Sequence, residues 1–267
     1  MLQAALQDLQ SIDASTSSIR TTVEFTSLDS LSAARRERQR GRAVRVAILD
    51  AANRSDVGGV GMSPYAGTQE EDLIRTSNLY YLLSPRHNKH MRRQCEQMFG
   101  SGWRWCHIPY FGCVLLPGVS FLDEDARNTS SFDVIACAFP NLRSSSDEWR
   151  QYFHTATRSE IEHLIMCKVE AVLCAAVRLR CQSLVLAAIG CGYFAGGNPR
   201  LVRVLEPSEP RLAGKQAMAR MVGTCFAEAL RGNWFRNRFE RVVFAIAYDE
   251  TLLSEFKNAF EQRFNLS

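Results

Sequence analysis

Two adjacent carboxylates, Glu70 and Glu71, follow Gln69 a short way beyond the glycine-rich turn Val57-Gly58-Gly59-Val60-Gly61. Carboxyl groups of this kind do acid–base work on sugars: one protonates a leaving oxygen, stabilises a positively charged ring and activates water. Glycines let a loop backbone approach a ligand closely. The start of the next helix supplies unpaired N–H groups and a positive dipole end, which suits phosphate or diphosphate. The ligand these residues fit is anionic and carries a sugar. A plainer alternative stays open, a surface loop before a helix whose first-turn acids are stabilised by the dipole. Neighbouring helical residues point about 100° apart, so Glu70 and Glu71 cannot flank one bond as opposed catalysts. One does the chemistry and the other positions.

A second glycine-rich turn, Gly190-Cys191-Gly192-Tyr193-Phe194-Ala195-Gly196-Gly197, ends the apolar run 183–190. Ligands of open α/β sheets lie beyond the carboxyl ends of strands, and two such turns there grip one ligand from both sides. Phe194 either stacks on a sugar or base or packs on the core. Cys191, between glycines at a strand end, raises the alternative of a thiol nucleophile. None of His87, His90, His107, His154 and His163 stands in a recognisable partner context, so a buried or loop cysteine is the favoured reading.

The elements that must hold these turns follow from periodicity. Segments 21–25, 44–50, 112–119, 132–139, 183–190 and 241–248 read as strands, most of them continuously apolar and so buried on both faces. Helical patterns occupy 2–12, 28–40, 69–83, 86–99, 157–180, 214–231 and 251–263, while 196–213, with three prolines, reads as a loop. The alternation predicts an α/β fold, a three-layer α/β/α sandwich with a mixed central sheet. The expected organisation is one domain over 21–267 preceded by a helical extension, 1–20.

Composition narrows the partners. Apolar residues make up 46% and charged residues 22% of 267, which excludes a disordered or fibrous chain. A net charge of +4 demands neither nucleic acid nor membrane. Arg35, Arg36, Arg38, Arg40, Arg42 and Arg45 form either a polyanion patch or, the favoured reading, a solvated helix end. The odd count of nine cysteines, without paired or Cys/His ligand spacing, argues against zinc, against a disulfide framework and for a reducing compartment. No signal peptide and no run of 18 apolar residues is read. The expectation is an intracellular protein, cytoplasmic or nuclear, with no metal and no cofactor.

In order along the chain, Asp50-Ala-Ala-Asn53, Gly59-Val60-Gly61, Gln69-Glu70-Glu71 with Asp72 to Tyr80, Asp133 to Asn141, Gly190-Cys-Gly-Tyr-Phe194 and Val242 to Ile246 resemble the microbial-type poly(ADP-ribose) glycohydrolases of the macrodomain superfamily. The resemblance implies a macrodomain fold and ADP-ribose or ADP-ribosylated protein as partner. It implies hydrolysis of the glycosidic bond at the ribose anomeric carbon. Three readings follow: cleavage of poly(ADP-ribose), removal of a single ADP-ribose from a side chain such as arginine, or binding without cleavage. By resemblance Glu71 is the catalytic acid, Glu70 holds the reacting ribose, and Asn53 lies near it. Gly59 and Gly61 belong to the first phosphate and ribose loop, and Gly190, Cys191, Gly192, Tyr193 and Phe194 to the diphosphate loop; Gln69 joins the substrate-binding set. The family's three successive glycines are interrupted here by Val60, so Val60 and Met62 to Tyr65 are where the leaving group is selected.

Overall fold

The computed structural model describes residues 20–41, 44–58, 67–100, 108–123 and 127–265. The expected helix at 2–12, the extension around it, Arg42, the turn residues Gly59, Val60 and Gly61, and Met62 to Tyr65 lie outside these.

Six strands form one sheet: β1 (Thr22–Thr26), β2 (Val46–Ala51), β3 (Val114–Leu122), β4 (Thr129–Cys137), β5 (Ser183–Leu186) and β6 (Arg241–Ala245). Their spatial order is β1-β6-β5-β2-β4-β3. All neighbours run parallel except β3, which is antiparallel to β4. The helices are α1 (Ser30–Gln39), α2 (Gln69–Arg75), α3 (Leu79–Leu83), α4 (Lys89–Phe99), α5 (Arg158–Arg178), α6 (Pro199–Leu205), α7 (Gly214–Arg231) and α8 (Glu250–Phe264).

Alternate residues of each strand enter opposite cores. Ala47 and Leu49 of β2, Ile135 and Cys137 of β4 and Val242 and Phe244 of β6 pack with α5, α7 and α8. Val46, Ile48, Val134, Ala136, Val243 and Ala245 pack with α1, α2 and α3 on the other face. This two-sided burial is what the continuous apolar runs predicted. The result is the expected three-layer α/β/α sandwich with a mixed sheet.

Two expectations are corrected. The single helix over 69–83 is broken into α2 and α3, because Ser77 bridges to Phe121 of β3. The Ser77 hydroxyl donates to the Leu73 carbonyl (2.6 Å), a side-chain bond that competes with helix continuation. The proline-rich loop 196–213 contains a helix, α6, with Pro199 at its start, where a missing N–H costs nothing, and Asn198 accepting from the Leu201 N–H (3.2 Å).

The described arginines of the run hold α1 and the start of β2 to neighbouring strands. Arg36 and Arg40 reach Glu24 and Glu37, and Arg45 pairs with Asp133. Arg38 donates to the Val44 and Ser131 carbonyls. Among the described residues no helix is long and apolar enough to cross a membrane.

Candidate active site

The parallel strands β2, β5 and β6 share one carboxyl edge, and the chain leaves that edge in different directions. From β2 it passes to α2 on one face; from β5 it passes to α6 and α7 on the other. Loops diverging from adjacent parallel strands open a crevice. A cleft of about 900 Å³ lies there, lined by Asn53, Thr68 to Glu71, Gly190, Gly192, Tyr193, Phe194 and Tyr248 among others. That volume suits a ligand of dinucleotide size.

Gln69 fixes α2 to the sheet. Its side-chain oxygen accepts from the Ala51 N–H (2.7 Å), and its amide nitrogen donates to the Leu49 carbonyl (2.5 Å) and to Ser30 Oγ (3.0 Å). β5 ends at Leu186, and its pairing with β2 covers only Val46 to Ile48. The Gln69 amide takes the hydrogen-bonding groups of β2 just beyond that pairing, as a further strand residue would. Gln69 was expected in the substrate-binding set. It does line the cleft, but its amide is committed to backbone, so it positions the two glutamates behind it.

Glu70 is buried, and both its oxygens are occupied. Oε2 accepts from the Asn53 N–H (2.8 Å) and Oε1 from the Gly58 N–H (2.9 Å). The carboxylate thus anchors both ends of the turn after β2. Asn53 Oδ1 accepts from the N–H groups of Ser55 (2.9 Å) and Asp56 (3.1 Å), shaping the same turn. Glu71 is equally buried, at 3% exposure, but is held differently. Its Oε2 accepts from the Thr68 N–H (2.7 Å), and no described residue engages Oε1. The two neighbouring carboxyls are therefore held differently: among the described residues Glu70 accepts backbone N–H groups through both oxygens and Glu71 through one.

Burial pushes the Glu70 carboxyl up to about 7; the two backbone donors oppose this, and the charges of Glu71 and Asp56 add to it. A carboxyl raised on folding contributes stability below its ordinary value near 4.5, and that contribution is lost as pH rises through about 7. Glu70→Gln is therefore expected to gain on wild type between pH 4 and pH 8 by on the order of 3 kcal/mol, read from denaturation midpoints. Parallel pH dependence of the two proteins contradicts this.

The second turn is shaped by packing. Gly190 has φ +76°, and a Cβ there would meet the Phe139 ring at 2.7 Å, so a side chain is excluded twice over. Asn198 braces the turn by donating to the Leu142 carbonyl (2.5 Å), and the Arg143 guanidinium lies 4.0 Å from the Tyr193 ring centroid. Phe194 is half-buried and lines the cleft. Cys191 turns into the core, its Sγ donating to the Ile189 carbonyl (3.5 Å) and its N–H to the Ala188 carbonyl (3.1 Å). Burial holds its thiol far above the ordinary range, so it is no nucleophile. Its place in the substrate-binding set is corrected to a structural one between two glycines that do line the cleft. Asn141 forms a turn, accepting from the Arg143 N–H (3.3 Å).

Tyr248 was not singled out from the sequence. It follows β6 with φ +64°, a conformation costly for a non-glycine residue, and is 88% exposed at the cleft wall. Lys215, at the start of α7, and Asp29, the cap of α1, line the same cleft. Among the described residues no group of three or more histidines, cysteines and acids could hold a metal.

The family model for the microbial-type PARG catalytic domain matches residues 4–102. No curated protein matches the chain. The structure of poly(ADP-ribose) glycohydrolase from Thermomonospora curvata is similar over 97% of this chain and 82% of its own, with TM-score 0.68 and 26% identity. The same enzyme bound to the inhibitor ADP-HPD gives TM-score 0.65 and 26% identity over the same shares, 97% and 82%. The enzyme from Deinococcus radiodurans in complex with ADP-ribose shares the fold over 98% of this chain and 91% of its own, at TM-score 0.68 and 23% identity. The family resemblance read from the ordered motifs is borne out in sequence over the first part of the chain and in fold over nearly all of it.

Proposed function

We propose that this chain, similar to microbial-type PARG in sequence and fold, is an ADP-ribosyl hydrolase that cleaves the glycosidic bond of poly(ADP-ribose) at the ribose anomeric carbon. The observation that carries the reading is the unequal pair at the head of α2. Glu70 is bonded to the turn through both oxygens, whereas among the described residues none engages Oε1 of Glu71, and both line a cleft walled by a second glycine turn. The likeness to solved enzymes that hold ADP-ribose and ADP-HPD supports the ligand class.

The mechanism follows from that inequality. Glu70 and the Asn53 turn hold the reacting ribose, while the backbone from Gly190 to Phe194 takes the diphosphate and the far ribose. Glu71 gives a proton to the leaving oxygen as the ring acquires oxocarbenium character, then takes one from the water that attacks the anomeric carbon. No metal or cofactor enters this scheme. The substrate is poly(ADP-ribose) or an ADP-ribosylated protein, acted on by a single domain. The eight described cysteines are all free thiols, which supports a reducing, intracellular place of action.

Incubation with poly(ADP-ribose) and, separately, with protein carrying single ADP-ribose groups tests the reading. Free ADP-ribose released from the polymer is the expected result. Release from the modified side chain alone moves the assignment to mono-ADP-ribosyl hydrolysis. Binding without release from either substrate makes the protein a reader and overturns it.

A further inference from the structure

Asp50, next to last in β2, is fully buried, and neither of its carboxyl oxygens has a hydrogen-bond partner. A buried, unpartnered carboxylate is costly enough that such a group is kept neutral or kept for a reason. Strand alternation puts Asp50 on the face of Val46 and Ile48, the side covered by α2. The same strand continues into Asn53, whose N–H holds Glu70. Two acids thus meet at one short helix, Glu70 on it and Asp50 beneath it. One is saturated by backbone donors that favour its charged form, and the other is stripped of every partner that would favour charge.

We infer that Asp50 is a positioning residue, held as the uncharged acid beneath α2 so that no second charge enters beside Glu70, whose bonds to the Asn53 and Gly58 N–H groups keep it aligned for the ribose. The inference rests on the hydrolase reading above and goes beyond it by assigning a role to Asp50.

The surrounding charges agree. Burial and then the Glu70 charge push the Asp50 carboxyl well above the usual range. The groups that act on it are Glu70 on α2 and Cys137 on the neighbouring strand β4, whose thiol is pushed up to about 11 by burial, opposed by Lys168 and aided by Asp50; Glu71 on α2 and Asp56 in the following turn act on Glu70. Asp29, at the head of α1, acts on Asp72 instead. Residues 59–66 contribute no acid or base except Tyr65. When Asp50 loses its proton in alkali, a second charge enters beside Glu70 with no donor to receive it, and the Glu70 anchor is displaced.

The test is ADP-ribose affinity by calorimetry from pH 6 to pH 10, alongside the rate of polymer hydrolysis. Wild type is expected to lose at least about tenfold in affinity across the alkaline range, one proton's worth per pH unit beyond the Asp50 transition. In Asp50→Asn, of similar shape and unable to ionise, that alkaline loss disappears, so the variant binds more tightly than wild type at the alkaline end. Asp50→Leu, apolar and equally uncharged, is expected to share the flat limb. A merely structural role for Asp50 would lower affinity at every pH without changing the curve. Parallel curves for wild type and variants, or a wild-type affinity flat to pH 10, overturn the inference alone. Wild type that binds no ADP-ribose at any pH overturns the reading of the cleft and this inference with it.

Discussion

Glu71→Gln is expected to lower the rate of polymer hydrolysis by about a thousandfold or more, within the range that loss of a positioned acid–base group produces. Affinity for ADP-ribose is expected to stay within about tenfold of wild type. The substitution keeps the side chain's shape, so the buried contacts survive, and a neutral amide oxygen still accepts from the Thr68 N–H that now meets Oε2. What disappears is the proton-carrying Oε1. Single-turnover release of ADP-ribose measures the first quantity and calorimetry the second. Hydrolysis by the variant at more than about a tenth of the wild-type rate would remove Glu71 from the reaction. Glu70→Gln should behave differently, because it loosens the turn through Asn53 and Gly58 and so weakens ribose binding together with turnover.

The second large effect is predicted far from the carboxylates. Gly214 opens α7 directly behind the second glycine turn, and a Cβ there would collide with the Ala195 carbonyl oxygen. That oxygen is backbone, so it cannot rotate away. Gly214→Ala must move the short turn Tyr193–Ala195, and with it the two aromatic rings at the cleft wall. A displacement on the order of 1 Å at a binding group costs up to about a hundredfold, so ADP-ribose affinity is expected to fall ten- to a hundredfold. Overpacking of this kind lowers global stability by about 1–3 kcal/mol. Calorimetry on the folded variant is the measurement. Wild-type affinity would mean that the turn does not hold the ligand.

Much of this site could be read from residue order because its parts obey local rules. A buried strand, a glycine turn and a run of acids at a helix start are each visible in a few residues, and so is the second turn after 183–190. The clamp made by Gln69 was not legible because it depends on where β5 stops; only with Leu186 as the last residue of that strand do Leu49 and Ala51 need a partner. Asp50 looked like the polar end of an apolar strand, and its isolation is a property of packing from α2. Tyr248 has no spacing signal at all, since a left-handed residue after a strand is set by the tertiary path into α8. The breaks in the helix predictions share one cause. Periodicity over 69–83 and proline content over 196–213 show neither the bond from Ser77 to Leu73 nor a helix start at Pro199.

The amide clamp of Gln69 separates catalysis from selectivity in the chain's future variation. α2 is fastened to β2 through the side-chain atoms of Gln69, and among the described residues Glu70 grips Asn53 and Gly58, so this part of the acid's register is set by groups on the strand, the helix and the start of the turn. A change in which substrate enters therefore need not cost the rate at which it is cut, giving this scaffold a mouth that can vary over a fixed floor.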